Sequence, residues 1–421
     1  MPQGTGLVVY EGMGIPFRRI TASLPAVAVA ILLGGCVPAA AVRPPASDTP
    51  TASPSPAASA SATSSASESP SPTPTPAVVD PAFVPALAAI QMVGPRLGWA
   101  VGAHAIFATT DGAHWTKQYA STEEFVGVDF ISTTTGWAVG ARSLLGTSDG
   151  GRSWHQLGEA DRPIRSVHFV SPSQGWGIAG GTDPQSIHGW LVPKEGATLV
   201  TTRDGGVTWT TLDGPPNPQT VCFSDSMQGW VGTQEDGVYL YQNIAQGQSW
   251  SKALQRPDRP AADLGPATLI QCAGPHALWV LFLGGSAAMS HSPYIAYATT
   301  DGSSWRAVLN EPMTMHQSGV PAGPDSYPPS FSVVDPSDAV FVGDGPATNV
   351  AQCVIASNGG ASLRRTGAIQ NATETFAAAF VSVTTGWVLT RNGGGDYVID
   401  ATTDGGYHWS QQLAVPPTSA G

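Results

Sequence analysis

The sequence predicts an all-β fold, a seven-bladed β-propeller preceded by a disordered stalk, and three observations carry that expectation. The first is a phrase repeated with variations from Gly98 onwards: a Gly-Trp pair, then Thr/Ser-x-Asp-Gly-Gly-x-Ser/Thr-Trp. The second is composition. Of 421 residues only 11% are charged, while glycine (49) and proline (37) are abundant, a balance that suits short strands joined by turns. The third is alternation of apolar and polar residues between the phrases, as in Val126-Gly127-Val128-Asp129-Phe130, the mark of a half-buried strand.

The N-terminus reads as an address. Arg18-Arg19 precede the apolar run Ala22 to Leu33, which closes in Leu33-Gly34-Gly35-Cys36. A basic stretch, a short apolar stretch and small residues describe a secretory signal, and the run, broken by Pro25, is short for a bilayer span. Leu, two small residues and Cys resemble the lipobox of bacterial lipoproteins, in which the cysteine becomes the lipidated first residue. Residues 1–35 are accordingly read as a lipoprotein signal peptide and Cys36 as the lipidation site. The protein is then extracytoplasmic, lipid-anchored to the cell membrane of a bacterium. An ordinary signal peptide with an incidental Cys36 is the alternative. Residues 1–12 carry Glu11 and no basic residue, so Met13 is an alternative start.

Residues 36–80 are almost entirely Ala, Ser, Pro and Thr, as in Thr49-Pro50-Thr51-Ala52-Ser53-Pro54. Such a segment buries too little apolar surface to offset its ordering entropy, so it is expected to be a disordered linker.

Residues 81–421 are expected to form the propeller. Its seven first markers are Gly98-Trp99, Gly136-Trp137, Gly175-Trp176, Gly229-Trp230, Leu278-Trp279, Ala339-Val340 and Gly386-Trp387. The second markers pair Asp111 with Trp115, Asp149 with Trp154, Asp204 with Trp209, Asp301 with Trp305 and Asp404 with Trp409. Degenerate copies stand at Gln246 to Trp250 and at Asn358 to Leu363. In the second unit, strands are expected at 126–130, 136–140, 143–147 and 154–157, and four antiparallel strands repeated radially make a propeller blade. The aspartate accepts bonds from N–H groups just ahead of it, glycine supplies positive φ, and the tryptophan wedges between units. These acids are therefore read as turn braces, not catalysts.

This motif resembles the Asp-box of BNR, sialidase-type repeats. Its alternation with Gly-Trp over residues 86–413 looks most like the photosystem II stability/assembly factor-like family. The resemblance implies a non-enzymatic binding or assembly module that docks a partner. Sialidase-like or xyloglucanase-like glycoside hydrolysis is the alternative. The string Phe17-Arg18-Arg19-Ile20 faintly resembles a sialidase phrase but lies in the signal segment. A xyloglucanase-like site needs two opposed carboxylates; Asp183, Glu195, Asp258, Asp325 and Asp344 are among the candidates, and no motif ranks them.

A net charge of −12, from 18 Lys+Arg against 30 Asp+Glu, repels phosphate and argues against nucleic acid. Cys222 and Cys272 precede the tryptophans of successive repeats, so a disulfide is possible, with two buried thiols as the alternative. No spacing points to a metal, and no cofactor is expected. A monomer is expected.

Turns between first and second strands, and the Asp-Gly turns, are short and share one face. Long connections, at 181–196, 284–293, 391–396, 212–219, 253–267 and 308–330, emerge on the other. Elaborated loops on a rigid scaffold favour recognition. His188, Trp190, His291, Tyr294, His316 and Tyr327 are the candidate binding residues there, for a protein or cell-envelope glycan partner.

Overall fold

The computed structural model describes residues 84–158, 162–182, 184–187, 190–244, 247–257, 267–284, 293–311, 319–324, 329–344 and 348–417, all within one compact unit. The expected signal peptide, Cys36 and stalk lie outside the described residues. Among the described residues there are strands and no helix, hence none long and apolar enough to cross a membrane.

The strands run in antiparallel sheets, mostly in chain order. β1 (Ala89–Met92), β2 (Gly98–Thr109), β3 (Trp115–Phe130), β4 (Gly136–Gly140), β5 (Leu144–Thr147) and β6 (His155–Gln156) form one six-stranded sheet. β7 (Ile164–Phe169) and β8 (Gly175–Thr182) are followed by a two-stranded ribbon, β9 (Gln185–Ile187) and β10 (Trp190–Val192). β11 (Glu195–Thr202) and β12 (Thr210–Thr211) then complete the sheet begun by β7 and β8. Four more four-stranded sheets follow. They are β13 (Pro218–Phe223) to β16 (Gly247–Gln255), β17 (Ala267–Cys272) to β20 (Arg306–Asn310), β21 (Ser330–Val333) to β24 (Ser362–Gln370), and β25 (Ala372–Phe380) to β28 (Ser410–Val415).

The seven separate blades expected from the repeats are thus six sheets. The cause is β3, whose 16 residues pair first with β2 and then with β4. The outer strand of the first repeat runs unbroken into the inner strand of the second. The two halves still pack face to face. Trp99 stacks on Phe130 with ring centroids 3.4 Å apart, as Trp137 stacks on Phe169 (3.5 Å) and Trp176 on Phe223 (3.8 Å) across the next junctions. The sixth repeat, weakest in its markers, forms a full sheet, with Asn358 at φ 56° opening its turn.

The Asp-Gly turns show why the phrase repeats. Thr147 Oγ1 donates to Asp149 Oδ1 at 2.9 Å and accepts the Gly151 N–H at 2.9 Å. Asp149 Oδ1 also accepts the Ser153 N–H (2.9 Å), and Oδ2 accepts its hydroxyl (2.6 Å). Thr202 with Asp204, and Thr402 with Asp404, repeat the pattern. Asp111 and Asp301 make it in turns one residue shorter. Gly150 donates to the Thr134 carbonyl and Gly205 to that of Ser173, tying each such turn to the turn between first and second strands. The two kinds of short turn therefore share one face.

The last sheet takes all its strands from Ala372–Val415. The ring closes by packing and side-chain bonds. Ala86, Leu87 and Ile90 join the cluster containing Trp387, Leu389 and Ile399. Trp387 Nε1 donates to the Gly112 carbonyl at 3.1 Å, and Trp115 Nε1 to Gln412 Oε1 at 2.9 Å.

Candidate functional site

The inner strands carry a column of side chains that reach from each unit to the next. Gln91 donates to the Phe130 carbonyl (3.1 Å) and accepts the Phe130 N–H (2.6 Å). Asp129 Oδ2 accepts the Phe169 N–H at 2.7 Å. His168 Nε2 lies 2.8 Å from the Phe223 carbonyl, so that nitrogen carries the proton. Gln271 donates to the Phe331 carbonyl and accepts the Val333 N–H, both at 2.9 Å, and Ser332 Oγ accepts the Phe380 N–H at 2.8 Å. At the remaining junction inside the series, Cys222 and Cys272 are joined by a disulfide. Each residue of the column lies opposite the first-marker tryptophan or its substitute, as Asp129 lies opposite Trp137. The seventh unit has Ala379 there, opposite Trp387.

These bonds hold a rigid ring, and one insertion lies across it. The β9–β10 ribbon leaves the sheet of β7 and β8 after Gly180 and Gly181, at φ 72° and 85°. A side chain at Gly181 would put its first carbon 2.4 Å from that of Pro193, so only glycine lets the ribbon fold back. β10 packs against the inner strands β3, β7 and β13. Its Leu191 is buried with Val84, Val126 and Trp137, while Val192 joins the cluster containing Ala267, Leu269 and Phe331. One short strand thus packs its apolar side chains against inner strands on both sides of the ring.

The sequence-derived binding residues fare unevenly. His188, His291, His316 and Tyr327 lie outside the described residues, and of Trp190 only the backbone is described, in β10. Tyr294 does not face outward: it is fully buried, and its hydroxyl donates to the Pro324 carbonyl. β19 is buried along nearly its whole length, and Tyr294 lies in the core, where it holds segment 319–324. Arg365 grips the same segment, donating to the Ala322 and Gly323 carbonyls at 3.0 and 2.9 Å. Lys194 and Glu195 are exposed beside the ribbon.

Among the glycosidase candidates, Asp183, Asp258 and Asp325 lie outside the described residues. Asp344 is buried, and burial pushes its carboxyl up to about 6 although Thr375 donates to it through both its N–H and its hydroxyl. Burial likewise raises Asp400, which accepts the Thr390 hydroxyl at 2.7 Å. It raises Asp129 as well. Each carboxyl is engaged within its own sheet or with the next. The turn acids behave oppositely: hydrogen bonds from Ser153 hold Asp149 at about 2, and those from His408 hold Asp404 at about 2.

Sequence reasoning missed the column of inner-strand side chains and the ribbon. The column had a signal. Gln91, Asp129, His168, Cys222, Gln271 and Ser332 are all polar or sulfur-bearing at one repeat position otherwise set in apolar strands.

No protein-family model matches the chain, and no curated protein matches its sequence significantly. Solved structures share its fold. The GH74 xyloglucanase from Xanthomonas campestris gives a TM-score of 0.53 at 11% identity, covering 79% of this chain and 55% of that one. The chain therefore spans about half that enzyme's length. YCF48 bound to D1 peptide gives 0.48 at 15% identity over 76% of this chain and 93% of that one. The Cps50 (Swd1) propeller domain of Myceliophteria thermophila gives 0.48 at 7% identity, covering 75% and 96%. At such identities the likeness identifies a β-propeller and nothing narrower.

Proposed function

We propose that this chain is a non-enzymatic docking propeller, held outside a bacterial membrane by a lipid on Cys36, that offers its long-connection face to a protein or envelope glycan. The observation that carries the reading is the β9–β10 ribbon against the inner strands. A glycoside hydrolase needs a cleft that admits a sugar between two opposed carboxylates. In the described part of this face, Leu191 and Val192 pack across the inner strands, while Thr375, Thr390 and the Phe169 N–H engage Asp344, Asp400 and Asp129. A closed, elaborated surface on a rigid ring suits recognition better than turnover.

Other features support the reading. The Thr-x-Asp-Gly bonds favour an Asp-box assignment, and their pairing with Gly-Trp favours likeness to the photosystem II assembly factor-like group. Residues 36–80 act as the stalk, with a reach of up to about 3 Å per residue. The protein acts as a monomer, without cofactor.

The test is capture from intact membranes by proximity crosslinking, with the wild type compared against a chain whose 308–330 connection is shortened. One partner captured by the wild type and lost with the connection is expected. Turnover of xyloglucan or a sialoside by the wild type would contradict the reading.

A further inference from the structure

At one place the inner-strand column brings three metal-ligating side chains together. His168 on β7, Cys222 on β13 and Cys272 on β17 come from three consecutive units, and their ligand atoms all lie within 4.8 Å of one another. In the oxidised chain the two sulfurs form a disulfide. We propose that reduction of this disulfide opens a dithiolate–imidazole site for a thiophilic divalent cation such as zinc.

A phosphine reductant takes oxygen from water, becomes the phosphine oxide, and leaves Cys222 and Cys272 as two thiols. A divalent cation then displaces one proton from each sulfur, and the neutral imidazole donates its lone pair. A solvent molecule completes a tetrahedral set, and two sulfurs with one nitrogen favour zinc over harder cations.

The geometry is already in place. The two cysteine Cα atoms stand 5.9 Å apart on neighbouring inner strands, so the sulfurs stay together once the bond opens. Cys222 is buried, with 5% of its surface exposed. Two free thiolates there would be desolvated like charges, which a divalent cation cancels. The Phe223 carbonyl accepts the Nε2–H of His168 at 2.8 Å, which fixes the ring and leaves the lone pair on Nδ1. A carbonyl behind a histidine is the orienting partner that metal ligands commonly have. Units two, three, four and seven place Phe130, Phe169, Phe223 and Phe380 where unit five has Cys272. Unit one has Met92 and unit six Val333 there, so the phenyl ring is replaced at three positions and by a thiol only at this one.

The test uses the full chain carrying Cys36→Ser and Cys353→Ser, so that the pair supplies every thiol. Zinc is titrated against a chromophoric chelator before and after phosphine reduction, while near-ultraviolet circular dichroism follows the packed tryptophans. The oxidised chain is expected to bind no stoichiometric zinc and the reduced chain one ion. His168→Ala should weaken that binding at least about tenfold, and cobalt in place of zinc should give a thiolate-to-metal absorption band. The proposal is overturned if the reduced chain binds no zinc or if His168→Ala binds as tightly. Loss of the near-ultraviolet signal on reduction, unrestored by zinc, would overturn it too.

Discussion

The carboxylate of Asp129, on the inner strand of the second repeat, accepts the backbone N–H of Phe169 in the third at 2.7 Å. The same reach recurs from Gln91 to Phe130 and from Ser332 to Phe380. These bonds help to fix neighbouring sheets in height against one another. Asp129→Ala leaves the Phe169 N–H without its partner and is expected to cost roughly 1–3 kcal/mol. Asp129→Asn, which keeps an oxygen to accept that N–H, should cost clearly less. Urea midpoints of the two variants check the contrast.

The turn acids set the response to strong acid. Hydrogen bonds hold Asp149 and Asp404 at about 2, below the usual carboxylate range. A lowered carboxyl contributes stability that is present above the ordinary pKa near 4 and is lost as pH falls through about 2. Asp149→Ala should therefore melt at a lower temperature than the wild type at pH 7. The gap should close as the pH is brought down to about 2. A gap unchanged by pH would show that the carboxylate charge plays no part.

Asp344 works in the opposite sense. Burial raises its carboxyl to about 6, so its contribution is complete below the ordinary pKa and falls away as pH rises through about 6. Keeping the ionised form buried at pH 8 costs roughly 3 kcal/mol. Asp344→Asn, which retains an acceptor for Thr375, is expected to be more stable than the wild type at pH 8 and equal to it near pH 4. Denaturant titrations at the two pH values decide.

Gly181 controls the ribbon. Its φ of 85° and its approach to Pro193 leave no room for a side chain. Gly181→Val should displace β9 and β10 while leaving the ring intact. Hydrogen exchange should then quicken at the amides of Leu191 and Val192 and stay slow in β4 and β18. Uniformly faster exchange would mean that the ribbon holds the whole ring.

Much of the fold was legible because each repeat states its strand and turn chemistry locally. Val126 to Phe130 alternates as it must to bury one face, and Thr147 with Asp149 encodes its turn within three residues. What crosses between repeats was harder to read. Ser121 to Glu124 are polar and look like a link, yet they stay extended within β3 and merge two units into one sheet. Residues 181–196 read as a loop because strands as short as β9 and β10 carry too few residues for periodicity. Tyr294 looks equally suited to a surface or a core, since its ring is apolar and its hydroxyl polar. The approach of Cys222 to Cys272 follows from the repeat spacing, but the third partner, His168, required the ring.

Docking through the long-connection face can be read directly from which face meets a partner. A photocrosslinking residue is placed in the full chain at Gln185 or Glu195, exposed on the long-connection face, and at Arg152 or Tyr407, exposed on the short-turn face. After illumination of intact membranes, adducts of one defined partner are predicted from Gln185 and Glu195 and not from the other two. Adducts confined to Arg152 and Tyr407 would contradict the account and move the docking surface to the Asp-Gly turns.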